Sequence, residues 1–403
     1  MPVRAVPQEL VDLIVDNLEG QTDSLKSCSL AASPFVGQSQ IHLFKKVEFL
    51  PPSRSGDNPC KKFHQSITSS PHLAALVQEL RIVTYDAPVD PNAHNLPECW
   101  VAAEGTLLRI LPLLQLKGIS IVDNDMRVGL GRGPRLDWNR LDESLRSALA
   151  TVLSSATLES VRLRDLIIRS PRELLSLFGA SASLRSLSIS RVQFSTLPAA
   201  GKHDTWPHSE IWRPRLTCLL VSDLVCGPFG RHFWHPQIDL SGVVTLRFAC
   251  VRLGVIEWEW ERRIPAFHDL ENLALFHPRP EAFQAIVTPN LRSLHIYSAY
   301  GLDPDMMSIF RAVPLDSRLE NITLDGAMIS PFRVDSVELN DAIDTVLTCT
   351  RTLRMVQLRV TDGTHGDFLG WSELARRTFH SLERRDLLIT TQATPDAFSE
   401  DWT

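Results

Sequence analysis

Leu291-Arg-Ser-Leu294-His-Ile296 shows the rule on which most of the chain is built: apolar residues at the first, fourth and sixth positions of a six-residue run. Working outward, the same rule appears before it as Val77-Gln-Glu-Leu80-Arg-Ile82, Leu116-Lys-Gly-Ile119-Ser-Ile121, Leu158-Glu-Ser-Val161-Arg-Leu163 and Leu184-Arg-Ser-Leu187-Ser-Ile189. It continues as Leu216-Thr-Cys-Leu219-Leu-Val221, Val243-Val-Thr-Leu246-Arg-Phe248 and Leu270-Glu-Asn-Leu273-Ala-Leu275, and after it as Leu319-Glu-Asn-Ile322-Thr-Leu324 and Leu353-Arg-Met-Val356-Gln-Leu358. A last, degenerate copy falls near Leu387 to Ile389. Alternation over the final positions marks a strand with one buried face. Helical patterns fill most gaps, at 61–69, 142–153, 172–178, 281–287, 305–313, 338–347 and 368–379.

Copies start between 21 residues apart (Leu270 to Leu291) and 42 apart (Leu116 to Leu158). Each strand is too short to stand alone, so stacking neighbours into a parallel ladder whose apolar face is covered by helices is the economical solution. Over roughly residues 61–389 this α/β pattern resembles a leucine-rich-repeat solenoid. The Asn or Cys ladder usual after the strand is missing and the spacing is irregular, which predicts an arc with uneven loops. An open doubly wound sheet also alternates helices and strands. It is disfavoured because the strands keep one fixed motif and no Gly-rich phosphate turn accompanies them.

In such a ladder the fourth and sixth positions point inward, and the third, fifth and seventh line the open face. Residues there include Arg164, Arg247, His295, Tyr297 and Arg359. Arg and Tyr supply much of the energy at interface centres, so these are candidates for binding a target protein. Trp258 and Trp260 join them from a loop region that also holds Trp206, Trp212, Phe229, Phe233 and Trp234. Those aromatics either form a recognition patch on one edge or close the core beneath long loops, and the sequence leaves both open.

Ahead of the repeats lies VPQELVDLIVDNLEGQTDSLKSCSLAASPFVGQSQIHLFKKVEF, residues 6–49. Pro7 suits a first helical position. Leu10, Leu13, Ile14 and Leu18 recur at helical spacing, with Val11 and Val15 on a neighbouring stripe. Thr22 or Asp23 can cap a second helix, Pro34 opens a third, and Val47-Glu48-Phe49 turns extended. About forty-five residues is close to the size at which a core needs outside support.

From the Val6-Pro7-x-Glu9-Leu10 opening, through Ile14 and Leu18, to Leu25-Lys-Ser-Cys-Ser-Leu30 and His42-Leu-Phe44, this segment resembles an F-box of the form common in fungi. The family's usual Cys-Arg/Lys-x-Trp step reads Ala32-Ser33-Pro34-Phe35 here. The resemblance implies docking on a Skp-type adaptor and, through it, a cullin, with Pro7, Leu10, Ile14, Leu18, Leu30 and Phe35 facing the adaptor.

The domain organisation expected is therefore an F-box-like three-helix module over 1–50, a linker over 51–60 and the repeat array over 61–403. The function expected is that of a non-catalytic substrate receptor in a cullin-RING ubiquitin ligase; the alternative is a repeat-based scaffold or sensor outside any ligase.

Composition agrees with a large soluble core: 44% hydrophobic and 22% charged residues. A net charge of −6 gives no general attraction to phosphate backbones, so nucleic acid is not an expected partner. Seven dispersed cysteines without a Cys-x-x-Cys pair suit reduced thiols in the cytoplasm or nucleus. No apolar signal segment or membrane-spanning run is evident. His203, His208, His232 and His235, with Cys218 and Cys226, match no zinc spacing. Gly129-Leu-Gly131-Arg-Gly133 lacks the helix and Lys of a nucleotide loop. No catalytic residue, metal or cofactor is expected.

Overall fold

Each of the ten copies is a β-strand, and each strand begins at the third position of its copy. The computed structural model describes residues 6–52, 58–84, 99–122, 136–179, 181–195, 215–222, 239–249, 267–276, 283–284, 286–298, 304–314, 317–326, 337–361 and 368–393. The chain divides into two compact units, Met1–Arg169 with Ser176–Leu184, and Ser170–Leu175 with Arg185–Thr403.

In the first unit, β1 (Lys46–Phe49), β2 (Glu79–Val83), β3 (Gly118–Val122) and β5 (Ser160–Arg164) pair in that order, all parallel. The short β4 (Leu136–Asp137) pairs separately with β6 (Leu166–Ile168). The second unit carries β7 (Ser186–Ser190), the short β8 (Gln193–Phe194), β9 (Cys218–Ser222), β10 (Thr245–Ala249), β11 (Asn272–Phe276), β12 (Ser293–Ser298), β13 (Asn321–Gly326), β14 (Met355–Thr361) and β15 (Leu388–Ala393). From β7 onward, omitting β8, these pair in sequence order, all parallel.

Register follows the motif. Fourth positions sit beside fourth positions, as Leu246, Leu273, Leu294, Ile322 and Val356 do. All ten first positions are buried, and so are the fourth and sixth, except for the half-buried Phe248. Second-position amides extend the hydrogen bonding: Glu271 N–H donates to Val244 O (2.9 Å), Arg292 to Glu271 (2.8 Å), Glu320 to Arg292 (2.8 Å) and Arg354 to Glu320 (2.8 Å).

Side-chain hydroxyls do the work of the missing Asn or Cys ladder. Thr157 Oγ1 donates to Leu116 O (3.1 Å), Ser181 Oγ to Leu158 O (3.2 Å), Thr288 Oγ1 to Leu270 O (3.1 Å) and Thr352 Oγ1 to Leu319 O (2.8 Å). In each case the hydroxyl lies just ahead of one strand and satisfies the first-position carbonyl of the preceding copy. A buried carbonyl without a partner is costly, so each of these four contacts satisfies a group that the strand pairing leaves over.

Helices supply the other layer. Glu143–Leu153 starts at Asp142, whose side chain accepts from Ser144 N–H (2.9 Å), and buries Leu145, Leu149 and Leu153. Helix Phe368–Thr378 buries Trp371 and Ala375, and helix Val337–Cys349 buries Ile343 and Leu347. Asp344 on the last of these is itself buried. It accepts N–H bonds from Ser381 (2.9 Å) and Leu382 (3.0 Å) at the start of helix His380–Arg384, tying two helices together.

The front of the chain forms α1 (Gln8–Asp16), α2 (Thr22–Ala31) and α3 (Ser33–Lys45). Two helix starts differ by one residue from the sequence reading. Pro7 has ψ 141° and precedes α1 as its cap, its carbonyl accepting from Leu10 and Val11 N–H. Gln21, not Thr22 or Asp23, precedes α2.

Two further copies of the motif lie outside the ten. Val47 pairs with Leu80 and Phe49 with Ile82, so Phe44-Lys-Lys-Val47-Glu-Phe49 is a copy whose first position closes α3. The strand that ends the expected 1–50 module is thus hydrogen-bonded to the first repeat. At the other end Leu388 pairs with Val356, which puts Arg385 and Thr390 at the first and sixth positions. The degenerate copy therefore starts at Arg385, ahead of the expected Leu387.

Replacing Thr352 by Val keeps the β-branched shape and leaves Leu319 O without its donor. Urea unfolding is expected to show a loss of about 1–2 kcal/mol, against a change near zero for Thr345→Val on an exposed helix turn.

Candidate functional site

Two surfaces carry the residues singled out by sequence, one in each unit. In the first unit α1 has two apolar faces. Val11 and Val15 are buried, together with Leu25 of α2. Leu10 (51% exposed), Leu13 (58%) and Ile14 (52%) lie on the outer side, continued by the exposed Val6. Leu10, Leu13 and Ile14 fall within one arc of about 100° on a 3.6-residue helix, the width of a packing stripe. A contiguous apolar stripe facing water is unusual and marks an interaction surface.

Of the residues expected to face an adaptor, Pro7, Leu10, Ile14 and Leu30 (86%) are exposed, while Leu18 and Phe35 are half-buried. Leu13 shares the stripe although it is not among those candidates, carried there by the same three- and four-residue spacing, and the exposed Val6 precedes the helix.

Polar contacts fix the roll of α1. Asp16 Oδ1 accepts from His42 Nε2 (2.6 Å) and Gln38 Nε2 (2.6 Å), both on α3. Glu19, just past α1, receives Lys45 Nζ at 2.7 Å. At the other end Gln8 Nε2 donates to Pro34 O (2.8 Å). The His42 hydrogen bond, followed by that from Gln38, holds the Asp16 carboxyl below its ordinary range. Lys45 does the same for Glu19, which in turn pushes Lys45 up.

The second surface is the polar side of β11–β14. Asp325 on β13 has a side chain that is 0% exposed. Its Oδ2 lies 2.6 Å from His295 Nε2 on β12, and its Oδ1 lies 3.3 Å from Arg359 Nε on β14. A carboxylate only accepts, so the His295 proton at this contact sits on Nε2. One strand further back, Phe276 stacks on Tyr297 with ring centroids 4.2 Å apart and planes at 13°. Burial, then the Asp325 charge, pushes the Tyr297 phenol above its ordinary value. The register sets these neighbours in one row: Phe276, Tyr297, Asp325 and Arg359.

Three expected target-binding residues, His295, Tyr297 and Arg359, are thus brought together. Asp325, which contacts two of them, stands at the seventh position of its copy, where nothing in the spacing singles it out. Arg247 is half-buried on β10, in register with Ala274. Arg164 belongs to the first unit, where it is largely covered and its Nε lies 3.5 Å from Asp165 Oδ2. Trp258 and Trp260 lie outside the described residues, as do His203, His208, His232, His235, Cys226 and the Gly129–Gly133 segment.

The expectation of an open third, fifth and seventh row needs correction. Val83, Val122, Ser222 and Asp325 at seventh positions are buried, and so are Leu220 and Ala274 at fifth positions. Strands about 4.8 Å apart let neighbouring side chains shield one another, so short residues between longer ones lose contact with water.

Among the described residues no group of His, Cys, Asp and Glu is arranged to hold a metal ion, and no helix is long and apolar enough to cross a membrane. No protein-family model matches the chain, and no curated protein matches it significantly.

Asp16 and Glu19 have lowered folded values, so their contribution is complete above the ordinary carboxylate range, near pH 4, and fades as pH falls through the folded values. Acidification is therefore expected to lower the hydrogen-exchange protection factors of the Val11 and Val15 amides, taken relative to the intrinsic rate at each pH, with a weaker pH dependence in Asp16→Asn. Cys60 is buried, and burial, with Glu104 nearby, raises its thiol to about 12. Maleimide is expected to label the half-buried Cys28 in the native chain and to spare Cys60 until the chain unfolds.

Proposed function

We propose that the chain is a substrate-recognition subunit of a cullin-RING ubiquitin ligase. Its first three helices dock a Skp-type adaptor, and its repeats hold a target protein near the ubiquitin-charged enzyme. The chain itself performs no chemistry; proximity is its contribution. The observation that carries this reading is the outer stripe of α1, where Leu10, Leu13 and Ile14 face water while Val11 and Val15 close the core.

An apolar helix face of this kind fits a groove on another protein. Each of the three side chains gains about 1.5–3 kcal/mol when fully buried, before the costs of association are subtracted. The reading also implies that the chain works in the cytoplasm or nucleus, where such ligases act. A repeat-based scaffold outside any ligase is the second reading. It draws on the Ala32-Ser33-Pro34-Phe35 step, where Phe35 is half-buried and so offers the docking face only part of its ring.

Substituting Leu10→Asp together with Ile14→Asp changes exposed side chains only, so the melting temperature should stay near that of the parent chain. Capture of the Skp-type adaptor and its cullin from solution is expected to disappear. Undiminished capture by the folded double variant rejects the docking assignment. Failure of the parent chain to capture cullin favours the scaffold.

A further inference from the structure

We infer that the face of β10–β14 is a docking site for an extended peptide in which a carboxylate side chain stands next to an aromatic one. The inference rests on the reading of the repeats as the target-binding part, and names the chemistry of the target.

Arg247, Ala274 and His295 lie side by side at fifth positions of three successive strands. Ala274 is short and buried between two longer basic side chains. Two strand spacings, roughly 9–10 Å, separate the backbones that carry those side chains. The result is a dip with a basic residue on either side. Two residues further along the strands, Phe276 and Tyr297 stack at 4.2 Å and form an aromatic wall beside it.

Charge on this face is one-sided. Among the third, fifth and seventh positions of β10–β14 Asp325 is the sole carboxylate, and its side chain is 0% exposed. It is spent within the face, holding His295 at 2.6 Å and Arg359 at 3.3 Å. An arriving peptide therefore meets Arg247, His295 and Arg359 with no exposed acid among these positions, in a chain whose net charge is −6. A guanidinium carries five donors, so Arg247 and Arg359 can serve an anion alongside partners they already have. A planar side chain flanking the anion would lie against the Phe276–Tyr297 wall.

Asp325 is a positioning residue in this arrangement. Its Oδ2 accepts from the His295 ring while its Oδ1 lies within ion-pair distance of Arg359 Nε, and no peptide needs to touch it.

The test uses the full chain and a fluorescein-labelled peptide with a central Glu-Phe-Glu, read by fluorescence anisotropy. Gln-Phe-Gln and phosphoserine-Phe-phosphoserine versions are the controls. The Glu peptide is expected to bind, to weaken about tenfold on neutralisation to Gln, and to weaken as salt rises. Arg247→Gln should weaken it to a similar degree. Ala274→Leu, which fills the dip without changing charge, should weaken it more. Arg146→Gln, on a helix of the other unit, should leave it unchanged. Equal binding of the Gln peptide, no binding of the Glu peptide, or an unchanged affinity in Arg247→Gln overturns the inference; should Ala274→Leu fail to fold, the Arg247 variant decides. Phosphopeptide binding more than tenfold tighter than Glu binding also overturns it, in favour of a phosphate reader. Adaptor capture by the same protein, measured in parallel, separates failure here from failure of the ligase reading.

Discussion

Parallel hydrogen bonding between consecutive copies, with fourth position set beside fourth, is the constraint from which the rest of this structure follows. A strand of five or six residues gains little by itself. Once a copy is in register, its first, fourth and sixth side chains join a shared apolar layer, and its second-position amide finds the carbonyl of the copy before. A slip of one residue would turn that layer outward. Covering helices, hydroxyl contacts and the polar face all depend on this register being kept from copy to copy.

The polar face shows what the constraint leaves free. Strand positions three, five and seven lie outside the apolar layer, and even where they are buried, as at Ala274 and Asp325, they carry small or polar side chains as well as apolar ones. Here they include an aromatic pair and a buried carboxylate that organises a histidine and an arginine from the strands on either side. The N-terminal helices show a comparable division of labour within a single element. Val11 and Val15 hold α1 in place, polar contacts from α3 set its roll, and the remaining apolar residues are left for a partner.

Most of the ladder was legible in the sequence because the six-residue rule is strict where packing is strict. Leu291, Leu294 and Ile296 could be placed in the core from spacing alone. The first rung was harder to see, since Phe44 also completes a helix and the rule begins inside an element of another type. The last rung showed only as a degenerate copy near Leu387 to Ile389, its register hidden by Arg385 and Thr390 at positions that are apolar elsewhere. Sequence spacing also picked out His295, Tyr297 and Arg359, yet it gave no hint that Asp325 joins them. Such a cluster depends on which strands are neighbours and on how deeply each residue is covered, and both are properties of the assembled sheet. The hydroxyl contacts escaped notice for a related reason. Thr157 and Thr352 stand one residue ahead of their copies and Ser181 and Thr288 three, so no single spacing marks them all until the strands are in place.

The last of the described strands departs from the rule, and the departure changes what its covering helix meets. On β15 the sixth position is Thr390, whose hydroxyl lies 2.6 Å from that of Ser372 on helix Phe368–Thr378. At this level the hydrocarbon layer gives way to a pair of mutually satisfied hydroxyls. The sixth position of β15 thus meets its own covering helix through a polar contact, where the sixth positions of the ten copies carry apolar side chains.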